Sequence, residues 1–524
     1  MIHAFSAADV RAAEGPLLAA EAGFAGGLMH RAATALAAAA RAELVGLNRR
    51  VAGGSVVALV GGGNNGGDAL VALALLAGRG VRTTAVLTSP AVHEVGLAWL
   101  VAAGGQVLTV VEGAPGTRVW AGDALAEAFA ADVVLDGLLG IGGRGELRGE
   151  AATLVRLLGE LRETSVDARG RQVSRVPRVV AVDVPSGVGV DDGTVPGPVL
   201  AADRTLTFGA MKAGLLLPPA ARLAGDVELV DLGLGPHLAA RAAGVVVSRL
   251  DAADVRAGWP VPDAAAQKYT RGVLGVVAGS RSYPGAAVLA VAGALGTGCG
   301  MVRYVGPETV ADAVRAAHPE VVAGGGRVQA WLVGPGVPPD DADQLDRVRR
   351  TLALAAEADL PVVVDAGGLG VLPDRVGPRT VITPHAGELA DLLSARGATV
   401  ERAQVEAEPL RWAQEAHRLT GATVLLKGAV TVVAGDGVTY SQAEATPWLA
   451  TAGAGDVLAG VLGALLAAAS DSLTDTARVA WCAAAAASVH GRAAREANPG
   501  GPVTASTVAS SVPRVLAGLL VGLT

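Results

Sequence analysis

The sequence predicts an α/β protein in two parts, and three observations carry that expectation. The chain has 524 residues, longer than one hydrophobic core comfortably grows. Hydrophobic residues make up 51% of it and aromatics only 3%, so the cores must be built from Ala, Val and Leu, which pack well where both faces of a parallel sheet are covered. Short apolar runs recur along both halves, each ending in a glycine-rich or polar turn and followed by an Ala/Leu-rich stretch, the rhythm of strand and crossover helix.

In the first half, Val56 to Val60 reads as a buried strand, Gly61 to Asp68 as a glycine turn and Ala69 to Leu76 as a helix. Further strands are expected at Val81 to Leu87, Ala131 to Leu135, Val179 to Val182 and Arg204 to Phe208. The polar stretch Arg162 to Arg178 reads as a surface insertion, and the region 237–266, with Pro260 and Pro262, as a loose linker between domains at 1–236 and 267–524. In the second half, strands are expected at Val273 to Ala278, Val328 to Val333, Leu360 to Val364, Thr380 to Thr383, Ala422 to Leu426 and Val430 to Ala434. Helices are expected at Val457 to Ala469 and Thr476 to Glu496.

A net charge of -7 gives a nucleic-acid backbone no broad reason to bind, while still allowing a local basic pocket for a phosphorylated small molecule. Lysine occurs only at 212, 268 and 427, which makes each one worth attention. Cys299 and Cys482 cannot form a disulfide framework and read as buried small residues of a reducing compartment. With no signal-like or membrane-spanning segment, the expectation is a cytoplasmic protein without a membrane partner. The sparse charge permits subunit contacts, so a homo-oligomer stays open.

The chemistry gathers where strands end. Asn64-Asn65-Gly66-Gly67-Asp68 puts amides and a carboxylate after a strand and ahead of a helix, where glycines let backbone N–H groups approach a phosphate. Asp136 to Gly145 and Asp183-Val184-Pro185-Ser186-Gly187 follow two more strands. Their oxygens suit a hard cation, and Asp183 can move protons. Singly, each acid reads equally well as a helix cap.

Together with Thr207-Phe208-Gly209 and Lys212, these motifs resemble the NAD(P)H-hydrate epimerase family over residues 1–236. The resemblance implies a Rossmann-like sheet that interconverts R and S epimers of hydrated NADH or NADPH. It places the hydrated dinucleotide at Asn64, Asn65, Gly66, Gly67, Asp68, Gly140, Ile141, Gly142, Gly143, Arg144, Gly145 and Glu146. It further implies K+ at Asn65, Asp136 and Ser186, and Asp183 as the catalytic residue at the reacting end. Lys212 either pairs with phosphate or sits beside the site.

In the second half, Thr451 to Gly460 is the sharpest element. Its glycines can present consecutive N–H groups at a helix start as an anion hole for a transferring phosphoryl group, and Asp456 can take a proton from a substrate hydroxyl. Lys427 can neutralise nucleotide phosphate. His385 reads as a substrate contact or a hydrogen-bonded core histidine, and Glu388 as a Mg2+, water or structural partner.

These residues, with Lys268, Gly279 to Ala286, His318-Pro319-Glu320, Gly334-Pro335-Gly336 and Thr383 to Glu388, resemble the NAD(P)H-hydrate dehydratase family over about 267–520. That resemblance implies a ribokinase-like α/β domain with Mg2+, which uses ADP to convert the S-hydrate into NAD(P)H, AMP and phosphate. It assigns Ala286, Gly336, His385 and Asp456 to the hydrate, and Lys427, Gly428, Ala429, Val430, Thr431 and Gly455 to the adenine nucleotide. Asp456 becomes the catalytic base. Two departures stand out: Gly367 replaces an acid, which weakens a role for the Asp365 to Leu369 loop, and Thr446-Pro447-Trp448 replaces an Asn-containing stretch. A small-molecule kinase, or a half retained only for binding, remain the competing readings.

Overall fold

The computed structural model describes every residue except 22, 144, 166–174, 241–243 and 523–524. Arg144 and most of the expected surface insertion therefore lie outside the described residues. The chain divides into two compact units, one of residues 3–246 and the other of residues 247–524 with Met1 and Ile2.

The first unit runs β1 (Ile2–Phe5), α1 (Ala7–Ala19), α2 (Leu28–Gly46), β2 (Ser55–Val60), α3 (Asn64–Ala77), β3 (Arg82–Leu87), α4 (Glu94–Ala102), β4 (Gln106–Thr109), β5 (Thr117–Arg118), α5 (Ala121–Ala130) and β6 (Val133–Gly137). It continues with α6 (Gly149–Thr164), β7 (Arg178–Val182), β8 (Arg204–Phe208), β9 (Met211–Lys212), β10 (Asp226–Val230) and α7 (Gly235–Ala239). Its main sheet has the order β10-β8-β7-β6-β2-β3-β4-β5, and every pairing is parallel. β1 pairs with β9, setting Phe5 opposite Lys212. Because helices cover both faces, all six residues of β2 are buried. The chain leaves β2 toward β3 on one side and returns as β6 on the other. The switch point therefore lies between the ends of β2 and β6, where the Asn64 and Asp136 motifs begin.

The second unit runs β11 (Val245–Arg249), α8 (Ala252–Gly258), β12 (Val273–Val277), α9 (Pro284–Gly296), β13 (Met301–Tyr304), α10 (Glu308–Ala317), β14 (Val322–Ala323), β15 (Ala330–Val333), α11 (Ala342–Glu357) and β16 (Val362–Val364). Then follow β17 (Thr380–Ile382), α12 (Ala386–Ser394), α13 (Arg402–Ala407), α14 (Pro409–Thr420), β18 (Thr423–Leu426), β19 (Thr431–Gly435), β20 (Val438–Gln442), α15 (Ala454–Ala468), α16 (Thr476–Ala497) and α17 (Ala505–Val521). The strand order β14-β13-β12-β15-β16-β17-β18-β19-β20-β11 is parallel except for the antiparallel meander β18-β19-β20. Its switch point falls between β12 and β15, at the loops carrying Gly279 to Tyr283 and Gly334 to Gly336.

The region 237–266 is not loose throughout: it holds β11 and α8, and Asp251 and Asp254 close a capping box on α8. Two further differences matter for function. α3 begins at Asn64 and α15 at Ala454, so both motifs read as loops are first helical turns. The core is as small-residued as the composition requires, and α15 packs backbone to backbone on α9. A Cβ on Gly460 would lie 1.9 Å from the Ala290 oxygen, and one on Gly293 would lie 2.4 Å from the Val457 oxygen. Both cysteines are free and buried. No described helix is long and apolar enough to cross a membrane.

Candidate active sites in the two halves

In the first unit, Asp183 follows β7 in the left-handed region, at φ 69, a conformation that non-glycine residues hold only where the surroundings enforce it. Three hydrogen bonds do so, all ending on Oδ1: from Lys212 Nζ at 2.5 Å, Phe208 N at 3.1 Å and Thr207 Oγ1 at 3.3 Å. Lys212 is 1% exposed, and its remaining hydrogens go to the Phe208 oxygen at 2.7 Å and Thr207 Oγ1 at 3.0 Å. All three of its donors are thereby used within the protein, which favours the reading in which Lys212 sits beside the site and braces Asp183.

Asp68, just past the first turn of α3, shares this field. Burial first, then the charges of Asp183 and Glu14, push its carboxyl well above the usual range, with Lys212 opposing; its buried Oδ1 has no partner among the described residues. Glu14 of α1 was not singled out from the sequence. Its carboxyl is raised by burial, lowered by Lys212 and raised again by Asp183.

Asp136 and Ser186 meet, and Asn65 lies beside the loop that follows Asp136. Asp136 is wholly buried; its Oδ2 accepts the Ser186 N–H at 2.8 Å, while Oδ1 has no partner among the described residues. Burial raises its carboxyl, and the bonds from Ser186 and Leu138 partly offset that. The Ser186 hydroxyl bonds both the N–H and the oxygen of Leu139, at 2.9 and 3.2 Å. Asn65 lies against the next loop: a Cβ on Gly140 would meet its Oδ1 at 3.0 Å. In the Gly140 to Glu146 loop, the Ile141 oxygen accepts from Arg11 at 2.8 Å.

The second unit builds its centre around Lys427. Its Nζ donates to Asp365 Oδ1 at 2.8 Å and lies 3.6 Å from Glu388 Oε2. Thr383 Oγ1 donates to the same Asp365 oxygen at 2.8 Å. The ammonium is raised: burial would lower it, but Asp365, Glu388 and Asp456 outweigh that. A Cβ on Gly455 would sit 3.4 Å from Lys427 Nζ, which places the lysine at the anion-hole turn. Gly453 precedes α15 at φ 85, and a Cβ there would meet Leu289 Cδ1 at 2.4 Å, so a side chain is excluded by both conformation and space.

Among the first amides of α15, Ala454 donates to Thr451 and Val457 to Gly453, leaving those of Gly455 and Asp456 for a ligand among the described bonds. Asp456 is pushed up to about 7, by burial first and then by Asp365 and Glu388, against Lys427. Residues 427–431 form the tip of the β18–β19 hairpin, with Gly428 and Ala429 exposed. Gly336 abuts Ala286, since its Cβ would lie 2.5 Å from that of Ala286.

Several expectations are revised. The Asp365 loop is central rather than weakened. Gly367 fits because a Cβ there would fall 1.8 Å from the Val337 oxygen, and Asp365 itself is buried and holds Lys427. Glu388 and His385 cap α12 reciprocally: His385 Nδ1 accepts from the Gly387 and Glu388 amides, and Glu388 Oε2 accepts from the His385 amide at 2.8 Å. The His385 ring stays largely exposed, which excludes the core reading. In the other departure, Thr446 caps a short 3-10 turn and Trp448 Nε1 donates to the Gly500 oxygen. His490 escaped the sequence reading. It is buried next to Ala454, and burial, with Lys427 nearby, lowers it to about 4, so the ring is neutral. Lys268 lies over the Tyr269 ring, 5.3 Å from its centre.

Family models match both halves: one described as YjeF-related protein N-terminus over residues 25–214, the other as NAD(P)H-hydrate dehydratase over 274–513. A bifunctional NAD(P)H-hydrate repair enzyme from Mycobacterium tuberculosis is 42% identical over 482 residues, covering 89% of each chain. The chain belongs to the bifunctional NAD(P)H-hydrate repair enzymes. The Mycobacterium leprae member is also 42% identical, over 99% of this chain and 100% of its own. An NAD(P)H-hydrate epimerase from Clavibacter michiganensis is 46% identical over 239 residues, 44% of this chain and 90% of that one. As a member of this repair family, the protein is a bifunctional enzyme, an epimerase with a Rossmann-like fold followed by a dehydratase with a ribokinase-like fold.

Proposed function

We propose that residues 1–236 interconvert the R and S epimers of hydrated NADH and NADPH, and that residues 267–524 dehydrate the S-hydrate with ADP as co-substrate. The observation that carries the dehydratase reading is Asp456, held near neutrality at a helix start whose Gly455 and Asp456 amides are free to receive a phosphoryl group. Asp456 takes the proton of the C6 hydroxyl as that oxygen attacks the β-phosphorus of ADP; the bond to the α-phosphate breaks and AMP leaves. The C6–O bond then breaks with phosphate departing, C5 gives up a proton, and the C5=C6 double bond of NAD(P)H returns.

Ala286, Gly336 and His385 hold the hydrate, while residues 427–431 and Gly455 hold the nucleotide. Among the described residues no group of three His, Cys, Asp or Glu side chains could hold a metal ion. A Mg2+ ion would be carried mainly by the ADP phosphates, whose charge it would help to neutralise.

In the epimerase half, Asp183 meets the reacting end and the loop residues 64–68 and 140–146 meet the dinucleotide. A K+ ion fits Asn65, Asp136 and Ser186, because the buried Asp136 Oδ1 has no partner among the described residues. It would supply a fixed positive charge beside the dinucleotide. Moving a proton off or onto the C6 hydroxyl lets that centre invert, either as the C6–N1 bond opens to an aldehyde and recloses on the other face, or as the C6–O bond breaks and water returns from the other side.

The test is chromatography of purified R- and S-hydrates incubated with the protein, with ADP and ATP supplied separately. The expected result is R-to-S conversion without nucleotide, and NAD(P)H and AMP from the S-hydrate with ADP. A stable phosphorylated product would turn the second half into a kinase. Unchanged R-to-S conversion by Asp183→Ala would remove Asp183 from the reaction.

A further inference from the structure

The epimerase reading assigns nothing to α1, yet α1 reaches the site twice. It enters from β1, which lies beside the strand that carries the buried lysine: Phe5 pairs with Lys212 across β1 and β9. Ser6 caps the helix by accepting from the Asp9 amide, and the Ala7 amide donates to Asp191 Oδ1 at 2.6 Å, so the entry point is fixed. One turn on, Arg11 Nη1 donates to the Ile141 oxygen at 2.8 Å, inside the loop assigned to the dinucleotide. Glu14 follows three residues later on the same helix face.

The charges around Glu14 are Lys212 from β9, Asp183 from the end of β7, Asp68 from α3 and Arg11 from its own helix. Asp183 touches the ammonium, Glu14 and Asp68 feel its charge, and its three donors are already spent on Asp183, Thr207 and Phe208. Burial raises the carboxyls of both Glu14 and Asp68, and Asp68 has a buried oxygen without a partner among the described residues. Glu14 is only partly buried, which makes it the member whose charge can adjust.

We propose that α1 forms a wall of the epimerase site, with Glu14 as a positioning residue that sets the charge around the Asp183–Lys212 pair and Arg11 as the clamp on the 140–146 loop. The inference rests on the epimerase reading given above. Glu14 acts through Asp183 and Asp68, and Arg11 acts by holding the loop at the distance the dinucleotide requires.

The experiment uses the full-length protein with R-hydrate, following epimerisation across pH, with dehydration of S-hydrate by ADP in the same preparation as the measure of intact folding. Glu14→Gln is expected to lower the epimerase kcat about tenfold with little change in KM, and to remove one ionisation from its pH profile. Glu14→Asp restores part of both. Arg11→Ala raises KM and, by removing a charge that lowers the Glu14 carboxyl, moves that ionisation to higher pH without removing it. A Glu14→Gln protein with the original kcat and profile overturns the proposal. So does one whose rate falls at every pH by the same factor, since that is a packing defect. Absence of R-to-S conversion by the unaltered chain would instead overturn the epimerase reading.

Discussion

In the first half, Lys212 donates straight to Asp183, the carboxylate proposed for the chemistry, and is 1% exposed with every donor occupied. In the second half, Lys427 donates to Asp365, and Asp456, with no ion pair among the described residues, is pushed up to about 7. The contrast suits two different tasks. A paired carboxylate is a fixed element that orients and polarises, whereas one held near neutrality can accept a proton at one step and release it at the next.

The largest effect that can break this comparison is expected from Asp456→Asn. Dehydration should fall by about 100-fold to 10,000-fold while ADP binding and epimerisation persist. Full turnover by this variant would make the unpaired state of Asp456 irrelevant. Next comes Lys212→Met, which leaves Asp183 buried without its cation and should destabilise the first half by about 3–5 kcal/mol, read by chemical denaturation. An unchanged midpoint would show that the pair is not structural.

The comparison is sharpened by pH. Asp456 must be ionised to act as a base, so the dehydratase kcat should fall about tenfold per unit below its folded pKa. Asp365 is one cause of the rise to about 7, and its replacement in Asp365→Asn removes that repulsion. The acid limb should therefore move to lower pH; a limb that stays in place would deny the coupling. The smallest effect belongs to Thr383→Val, which deletes one hydrogen bond to Asp365. It should cost about 1.5 kcal/mol in thermal unfolding and leave kcat within a few-fold.

Much of this was legible in the sequence because parallel sheets collect their chemistry at strand ends. Arg204 to Phe208 is a strand with the expected bounds, and Val179 to Val182 falls inside β7. The helix starts were harder. Glycines in Asn64 to Asp68 and Ala452 to Gly455 depress local helix propensity, so the first turns of α3 and α15 read as loops until packing enforces them. The role of Asp365 is hidden because Gly367 looks in sequence like a missing acid, whereas what decides that residue is the Val337 oxygen 30 residues upstream. Glu14 and His490 were illegible for a related reason. Each comes from a helix far along the chain from the motifs it faces, and no local pattern encodes that meeting.

The close contact of α15 with α9 has a consequence for how the dehydratase measures its substrates. α15 begins at the proposed phosphoryl hole, and α9 carries Ala286, proposed to hold the hydrate. Gly460 and Gly293 join these helices through backbone atoms alone, with no rotatable side chain in between. The two helices thus behave as the jaws of a fixed caliper, whose spacing is set by peptide geometry. A methyl group added at either glycine would alter the span between hydroxyl and phosphorus, so the damage would register in the reaction coordinate as well as in the melting curve.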